Sequence, residues 1–412
     1  MTAPRPQTTP GAGARVRSLD GVRGIAALIV VFHHAIQLHP TFAHVQAAES
    51  AGDAPAPVWA LTHTPLHVLW AGEEAVLIFF VLSGFVLALP ATRGPIAWGR
   101  YYPRRLVRLY LPVWASVLLA VTLRTVAEPG RDGALPSPWL RDRSAAPLGD
   151  AWHDAALLDG TGLLNSPLWS LRWEVVFSLA LPLYVLALRR TTAWGAAVQA
   201  AALMALIGVG TVADLAALRY LPVFGLGVLI ARHQDLLTSA TARLRRQRRR
   251  PLLWSTVTAV VMVLLTARWL VDALPSAPLV MEAAASAATI TGAVAVVLLP
   301  LAWPRCASAL ESPGVQWLGT RSFSLYLVHE PVIIAVALVV PATWGVWPTF
   351  AIGLVVALGA TAAFYRVVER PSISLARRVG ALRRPAPAPA PPSSLPSTTG
   401  RPAAAATPRA RP

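Results

Sequence analysis

Residues 19–38, "LDGVRGIAALIVVFHHAIQL", set one arginine and two adjacent histidines into an otherwise apolar run. A helix needs about 20 residues to cross a bilayer core, and this run has that length without a repeating polar face that would keep one side in water. Its apolar part is 22–38, and nine more apolar blocks follow near 67–90, 106–127, 168–188, 193–211, 215–231, 252–271, 279–303, 322–341 and 346–368. The first and sixth are the shortest or most polar. The expected fold is an all-α polytopic membrane protein, a bundle of about ten transmembrane helices.

Composition agrees. Of 412 residues, 55% are hydrophobic and 13% charged, as in a membrane protein. The formal net charge is +17, and all 36 basic residues are arginine. So basic a chain raises the question of nucleic acid, but the arginines cluster between apolar blocks, where loop bias places them. Arg5, Arg15 and Arg17 precede the first block; Arg93, Arg100, Arg104 and Arg105 follow the second, and Arg189 and Arg190 the fourth. Arg232 and the run "RLRRQRRR" (243–250) follow the sixth, and Arg305 and Arg321 the eighth. Loops 39–66 and 342–345 hold no arginine, and those of 128–167 are balanced by Glu128, Asp132, Asp142, Asp150, Asp154 and Asp159. Both termini therefore read as cytoplasmic, and nucleic acid is not an expected partner.

Cys306 is the only cysteine, which rules out an intramolecular disulfide and a cysteine metal cluster. No small-residue cleavage site follows the first run, so it reads as a retained span. The chain divides into a flexible N-terminus (1–18), one membrane domain (19–375) and a Pro/Ala/Arg-rich tail (376–412) expected to be disordered. No repeat and no second soluble domain is apparent.

Ionisable residues at membrane depth mark candidate sites. Arg23 and His34 are eleven positions apart, about 20° from three full turns with a rise of about 16 Å, so they share one stripe, while His33 falls about 80° away. The alternative is a snorkelling cation and a packed histidine. In the second block Glu73 and Glu74 read as interfacial, and Ser83 precedes Gly84, a position for close helix approach. In "NSPLWSLRWEVVFSLALPL" (165–183), Ser170 and Glu174 share one face and Trp169 and Trp173 a neighbouring one, with Arg172 as a candidate ion-pair partner for Glu174. In "SFSLYLVHEPVII" (322–334), Tyr326 lies one turn before His329 and Glu330, and a kink at Pro331 would free backbone carbonyls. Its alternative is a histidine bonded across the bundle. "RYYPRRLVRLYLP" (100–112) places Arg104, Arg105 and Arg108 at the mouth of the third span; topology explains them, and guanidinium forks also suit phosphates.

Six patches in order carry a resemblance: "LDGVRGIAALIVVFHH" (19–34), "FFVLSGFVL" (79–87), "RRLVRLYLP" (104–112), "LWSLRWEVVF" (168–177), "GTRSFSLYLVHEPV" (319–332) and "YRVVERP" (365–371). Together they resemble the integral-membrane acyltransferase-3 family, which O-acylates sugars, glycans and macrolide-type metabolites. The resemblance implies a ten-helix bundle in the bacterial cytoplasmic membrane and acyl-CoA, commonly acetyl-CoA, as a donor substrate reached from the cytoplasm, with no bound cofactor. It also implies key roles for Arg23 and His34, and its Trp-Ser-Leu-x-x-Glu falls on Trp169, Ser170, Leu171 and Glu174. The chain departs from it at Phe177-Ser178, where many members have tyrosine, and in lacking an appended hydrolase-like domain. The expected acceptor is a hydroxyl-bearing glycan, glycolipid or small molecule.

Acyl transfer needs a base, positive charge near the oxyanion or donor phosphates, and a dry cavity. His34 is the expected base, Arg23 the donor-side cation, and Glu174 the group that orients His34 or the acceptor. Arg104, Arg105 and Arg108 are expected on the donor phosphates, and Ser83, Ser170, Trp169, Tyr326 and His329 around the substrates. A proton-coupled transporter is the rival reading, disfavoured by the missing repeat; a non-catalytic assembly subunit is another.

Overall fold

A computed structural model describes residues 17–47, 54–127, 137–157, 162–188, 192–234, 236–237, 239, 250–274 and 277–382. Within them the chain forms helices and no strand, as lipid requires, because a helix satisfies its own backbone polar groups. The ten blocks correspond to α1 (Arg17–Ile36), α2 (Gly72–Ala88), α3 (Trp98–Val126), α4 (Leu168–Ala187), α5 (Ala193–Val212), α6 (Ala216–Arg232), α7 (Pro251–Leu265), α8 (Leu279–Ala302), α9 (Pro313–Val339) and α10 (Val346–Phe364). Eight of these are long and apolar enough to cross a membrane. α2 is among the eight because helical turns carry it on to Thr92; of the other two, α6 has 17 residues, and α7 has 15 before Thr266, after which Ala267–Asp272 resumes as a separate helix. The outer faces carry exposed apolar side chains, including Val355 at 70%, Leu118 at 67% and Leu183 at 66%, so the apolar surface points outward as lipid contact demands.

α1 and α9 form the centre. They touch backbone to backbone at Gly24 and Gly319: a Cβ on Gly319 would lie 2.2 Å from the Asp20 carbonyl oxygen. α2 meets α6 in the same manner, since a Cβ on Gly84 would lie 2.0 Å from the Phe224 carbonyl oxygen. Gly84 therefore serves packing. Phe80, Phe224 and Phe177 stack beside this crossing at 4.4 and 4.5 Å and fill the core.

After α10 a single π turn, Tyr365–Glu369, leads into α11 (Arg370–Leu382), which packs on α3. Helix thus continues past residue 375, the expected end of the membrane domain. Residues 1–16, Arg189 and Arg190, the arginine-rich run 243–249 and the tail from 383 lie outside the described residues.

Candidate active site

α1, α2, α3, α4 and α9 enclose a cavity of about 140 Å³. Arg23, Ser83, Arg105, Arg108, Ser170, Glu174 and Tyr326 all line it. Glu174 is its hub: Oε1 accepts from both Ser83 Oγ and Arg105 Nη2. One turn along α4, Ser178 Oγ accepts from Arg105 Nε at 3.0 Å and donates to the Glu174 carbonyl at 2.6 Å. Arg105 is thereby held at two points. Arg172 is not the partner of Glu174; its guanidinium lies 5.1 Å from the Trp173 ring, because residues two apart leave a helix on opposite sides.

Tyr326 closes the inner end. Its hydroxyl donates to the Pro167 carbonyl at 2.9 Å, so Ser170 Oγ, 2.7 Å away, donates to it. Glu369 completes the wall. The π turn adds a residue to one helical turn and swings Glu369 inward, where Oε2 accepts from Ser324 N at 3.1 Å and Ser324 Oγ at 2.5 Å.

Outward from this chamber lies a wider mouth of about 520 Å³ lined by Arg100, Arg104, Arg105, Arg108 and Arg377. Val86, Leu87, Arg105 and Arg108 line both spaces. Those side chains are a wall common to the two spaces.

His34 and His329 do not line the chamber. They lie beyond Tyr326, whose ring centre is 6.0 Å from that of His329. Arg23 and His34 therefore occupy successive levels of α1, not one shared chamber, as their three-turn separation allows. His329 Nδ1 is 2.9 Å from the Leu325 carbonyl and must donate to it. In the neutral ring Nε2 is then an acceptor, so the proton between it and His34 Nδ1, 3.0 Å away, belongs to His34. His34 Nδ1 also lies 3.1 Å from the Val30 carbonyl. These partners assign the Nδ1–H tautomer to His34 and leave its Nε2 lone pair free. His34 thus bonds His329, while Glu174 bonds Ser83 and Arg105. His33 points elsewhere, donating to the Trp70 carbonyl at 3.0 Å and stacking on that ring.

A model of the acyltransferase domain family, acyltransferase 3, matches residues 16–366. The chain belongs to that family. Acyltransferase MdmB of Streptomyces mycarofaciens is 31% identical over 178 residues, 43% of this chain. That match spans 41% of the relative's own length. No solved structure matches the chain.

In this member of the family a loop on the far side of Tyr326 covers the histidine pair. Its helix Pro138–Ser144 brings Trp139 to 6.2 Å from His34. Glu330, fully buried, anchors the loop: its oxygens accept from Ser166 N at 2.6 Å and Ser166 Oγ at 2.7 Å, and Arg143 Nε lies 3.3 Å away. Pro331 lacks an N–H and so frees the Leu327 carbonyl, which accepts from Asn165 Nδ2 at 3.0 Å. The freed carbonyl holds the loop, and α9 runs unbroken through Pro331.

Trp169 lies on the other side of α4 from Ser170. It packs on Tyr220 at 5.2 Å and lines a separate pocket of about 30 Å³ with Glu73, Glu74 and Arg268. Glu73 pairs with Arg268 at 2.9 Å, and Glu74 is buried and accepts from Trp269 Nε1 at 3.0 Å, so Glu74 is not an interfacial residue. Sequence reasoning missed Ser178, Glu369 and Arg143 as working residues. "YRVVERP" was the available signal for Glu369; Ser178 looked like a departure from the family, and Arg143 like a loop arginine.

Proposed function

We propose that this acyltransferase is a multi-pass O-acyltransferase of the bacterial cytoplasmic membrane. It moves an acyl group, acetyl in the simplest case, from acyl-CoA to a hydroxyl of a sugar-containing acceptor: an envelope glycan, a glycolipid or a glycosylated secondary metabolite. The supporting observation is an arginine-lined mouth that shares Arg105 and Arg108 with a polar chamber holding the Arg105–Glu174 pair, at whose end the Tyr326 ring centre lies 6.0 Å from that of His329, the partner of His34. The arginine bias puts that mouth on the cytoplasmic side, where acyl-CoA is met.

The acceptor oxygen attacks the thioester carbonyl carbon while His34 Nε2 takes the hydroxyl proton. The C–S bond breaks, and the proton passes from the imidazolium to the departing CoA thiolate. Arg23, which lines the chamber one level below His34, holds the donor. Glu174 fixes Arg105 on the wall shared by mouth and chamber, and Arg104, Arg105 and Arg108 engage the donor phosphates. Ser170 and Tyr326 shape the chamber end.

The test uses purified protein with labelled acetyl-CoA and membrane and small-molecule extracts of a deletion strain. Wild type should give a labelled covalent product, and His34→Ala should lower turnover by about 10²- to 10⁴-fold. Wild-type turnover in that variant removes the base assignment. Uptake of solute with no covalent product removes the transferase reading.

A further inference from the structure

We propose that α11 is a wall of the donor site and that Arg377 supplies it with a guanidinium for the nucleotide phosphates of acyl-CoA. This rests on the acyl-CoA reading above. It adds a segment that the family match, which ends at residue 366, does not reach.

Ser372, Ala376 and Gly380 form the buried face of α11. A Cβ on Gly380 would lie 3.6 Å from Arg104 Cδ and 3.7 Å from the Arg100 carbonyl oxygen. The helix therefore rests directly on the first turns of α3, beside the mouth, and Arg377, exposed next to Ala376, lines that mouth. Arg378, one residue on, is exposed and does not line it.

Charge points to the ligand class. Six guanidiniums, those of Arg23, Arg100, Arg104, Arg105, Arg108 and Arg377, line the chamber and the mouth against the carboxylates of Glu174 and Glu369. The excess of four positive charges matches a CoA head group, whose phosphate monoester carries about 1.5 to 2 negative charges and whose pyrophosphate diester carries one on each phosphorus. Loop bias accounts for arginines on this side of the bilayer but not for their convergence on a space of about 520 Å³, which is large enough for a nucleotide. Arg105 and Arg108, which line both spaces, stand where the arm that joins nucleotide to thioester would run from one to the other. A lipid headgroup offers the same phosphate chemistry, and the experiment separates the two.

Full-length protein in phosphatidylcholine nanodiscs is titrated with CoA. Arg377→Ala should weaken CoA binding about ten-fold and Arg377→Lys about three-fold, since lysine keeps the charge but loses the fork; Arg378→Ala should stay within about two-fold of wild type. Arg377 is exposed, and an unchanged elution profile confirms that each variant is folded. CoA affinity in both Arg377 variants within about two-fold of wild type overturns the proposal. So does unchanged CoA affinity with fewer phosphatidylglycerol molecules copurifying, which assigns Arg377 to the lipid surface. Wild type that binds no CoA overturns the donor reading, and this proposal with it.

Discussion

At the residue scale, one proton's address carries most of the chemistry. The Leu325 carbonyl settles which nitrogen of His329 is protonated, and that settles His34 in turn. His329→Ala should let the His34 ring exchange tautomers, lowering kcat by about ten- to a hundred-fold while donor KM stays near wild type. A steady-state split in which KM rises and kcat holds would instead make His329 a substrate-binding residue. Arg105 depends on its neighbours in a comparable way. Glu174→Gln and Ser178→Ala each release one of its two anchors, so donor KM should rise several-fold, more for Glu174→Gln because a charge-assisted bond is the stronger of the two. Equal donor saturation curves for these variants and wild type would detach Arg105 from donor binding.

At the element scale, two glycine crossings and one proline place the site. Arg23 reaches the chamber because α1 lies against α9 with no side chain between Gly24 and Gly319. Gly319→Val would drive a side chain into the Asp20 carbonyl, so thermal unfolding in detergent should begin several degrees lower, as overpacked interiors do. Activity should fall further than stability at temperatures where the variant remains folded. Pro331 acts on the loop, not on the course of α9. Pro331→Ala restores an N–H that competes with Asn165 for the Leu327 carbonyl, so amide exchange in residues 162–166 should quicken by mass spectrometry. Unchanged exchange there would mean that the Leu327 carbonyl does not hold the loop.

At the scale of the whole molecule, the bundle separates an arginine-rich mouth from a loop-covered histidine pair, and the segment that supplies the cover also holds a buried carboxyl. Asp154, fully buried in the helix Ala151–Ala156, accepts from Asn165 N at 3.2 Å. Burial pushes its carboxyl up to about 7, while the N–H groups of Gly162 and Asn165 pull the other way. The folded state therefore keeps a proton that the unfolded chain gives up near pH 4. Stability from this group is full below that value, declines as pH rises toward 7 and is level above it. Thermal midpoints of wild type should fall between pH 5 and pH 8 relative to those of Asp154→Asn. Parallel curves for the two proteins would show that Asp154 is not the titrating group.

Apolar block length alone determined that this chain is a helical membrane protein, because a backbone in lipid has few ways to satisfy its polar groups. Polar and ionisable residues in or beside those blocks singled out Arg23, Ser83, Arg105, Arg108, Ser170, Glu174 and Tyr326 as candidates, since lipid tolerates charge only where something pairs it, and these seven line one cavity. Periodicity along one helix also separated His34 from His33. Which groups meet was decided only by tertiary packing. His34 pairs with a residue 295 positions away, Glu174 chooses Arg105 over the adjacent Arg172, and a π turn brings Glu369 inward. One-dimensional spacing fixes the direction of a side chain on its own helix, but the partner it finds depends on how close two helices come, and here glycines on both sides of a crossing set that distance.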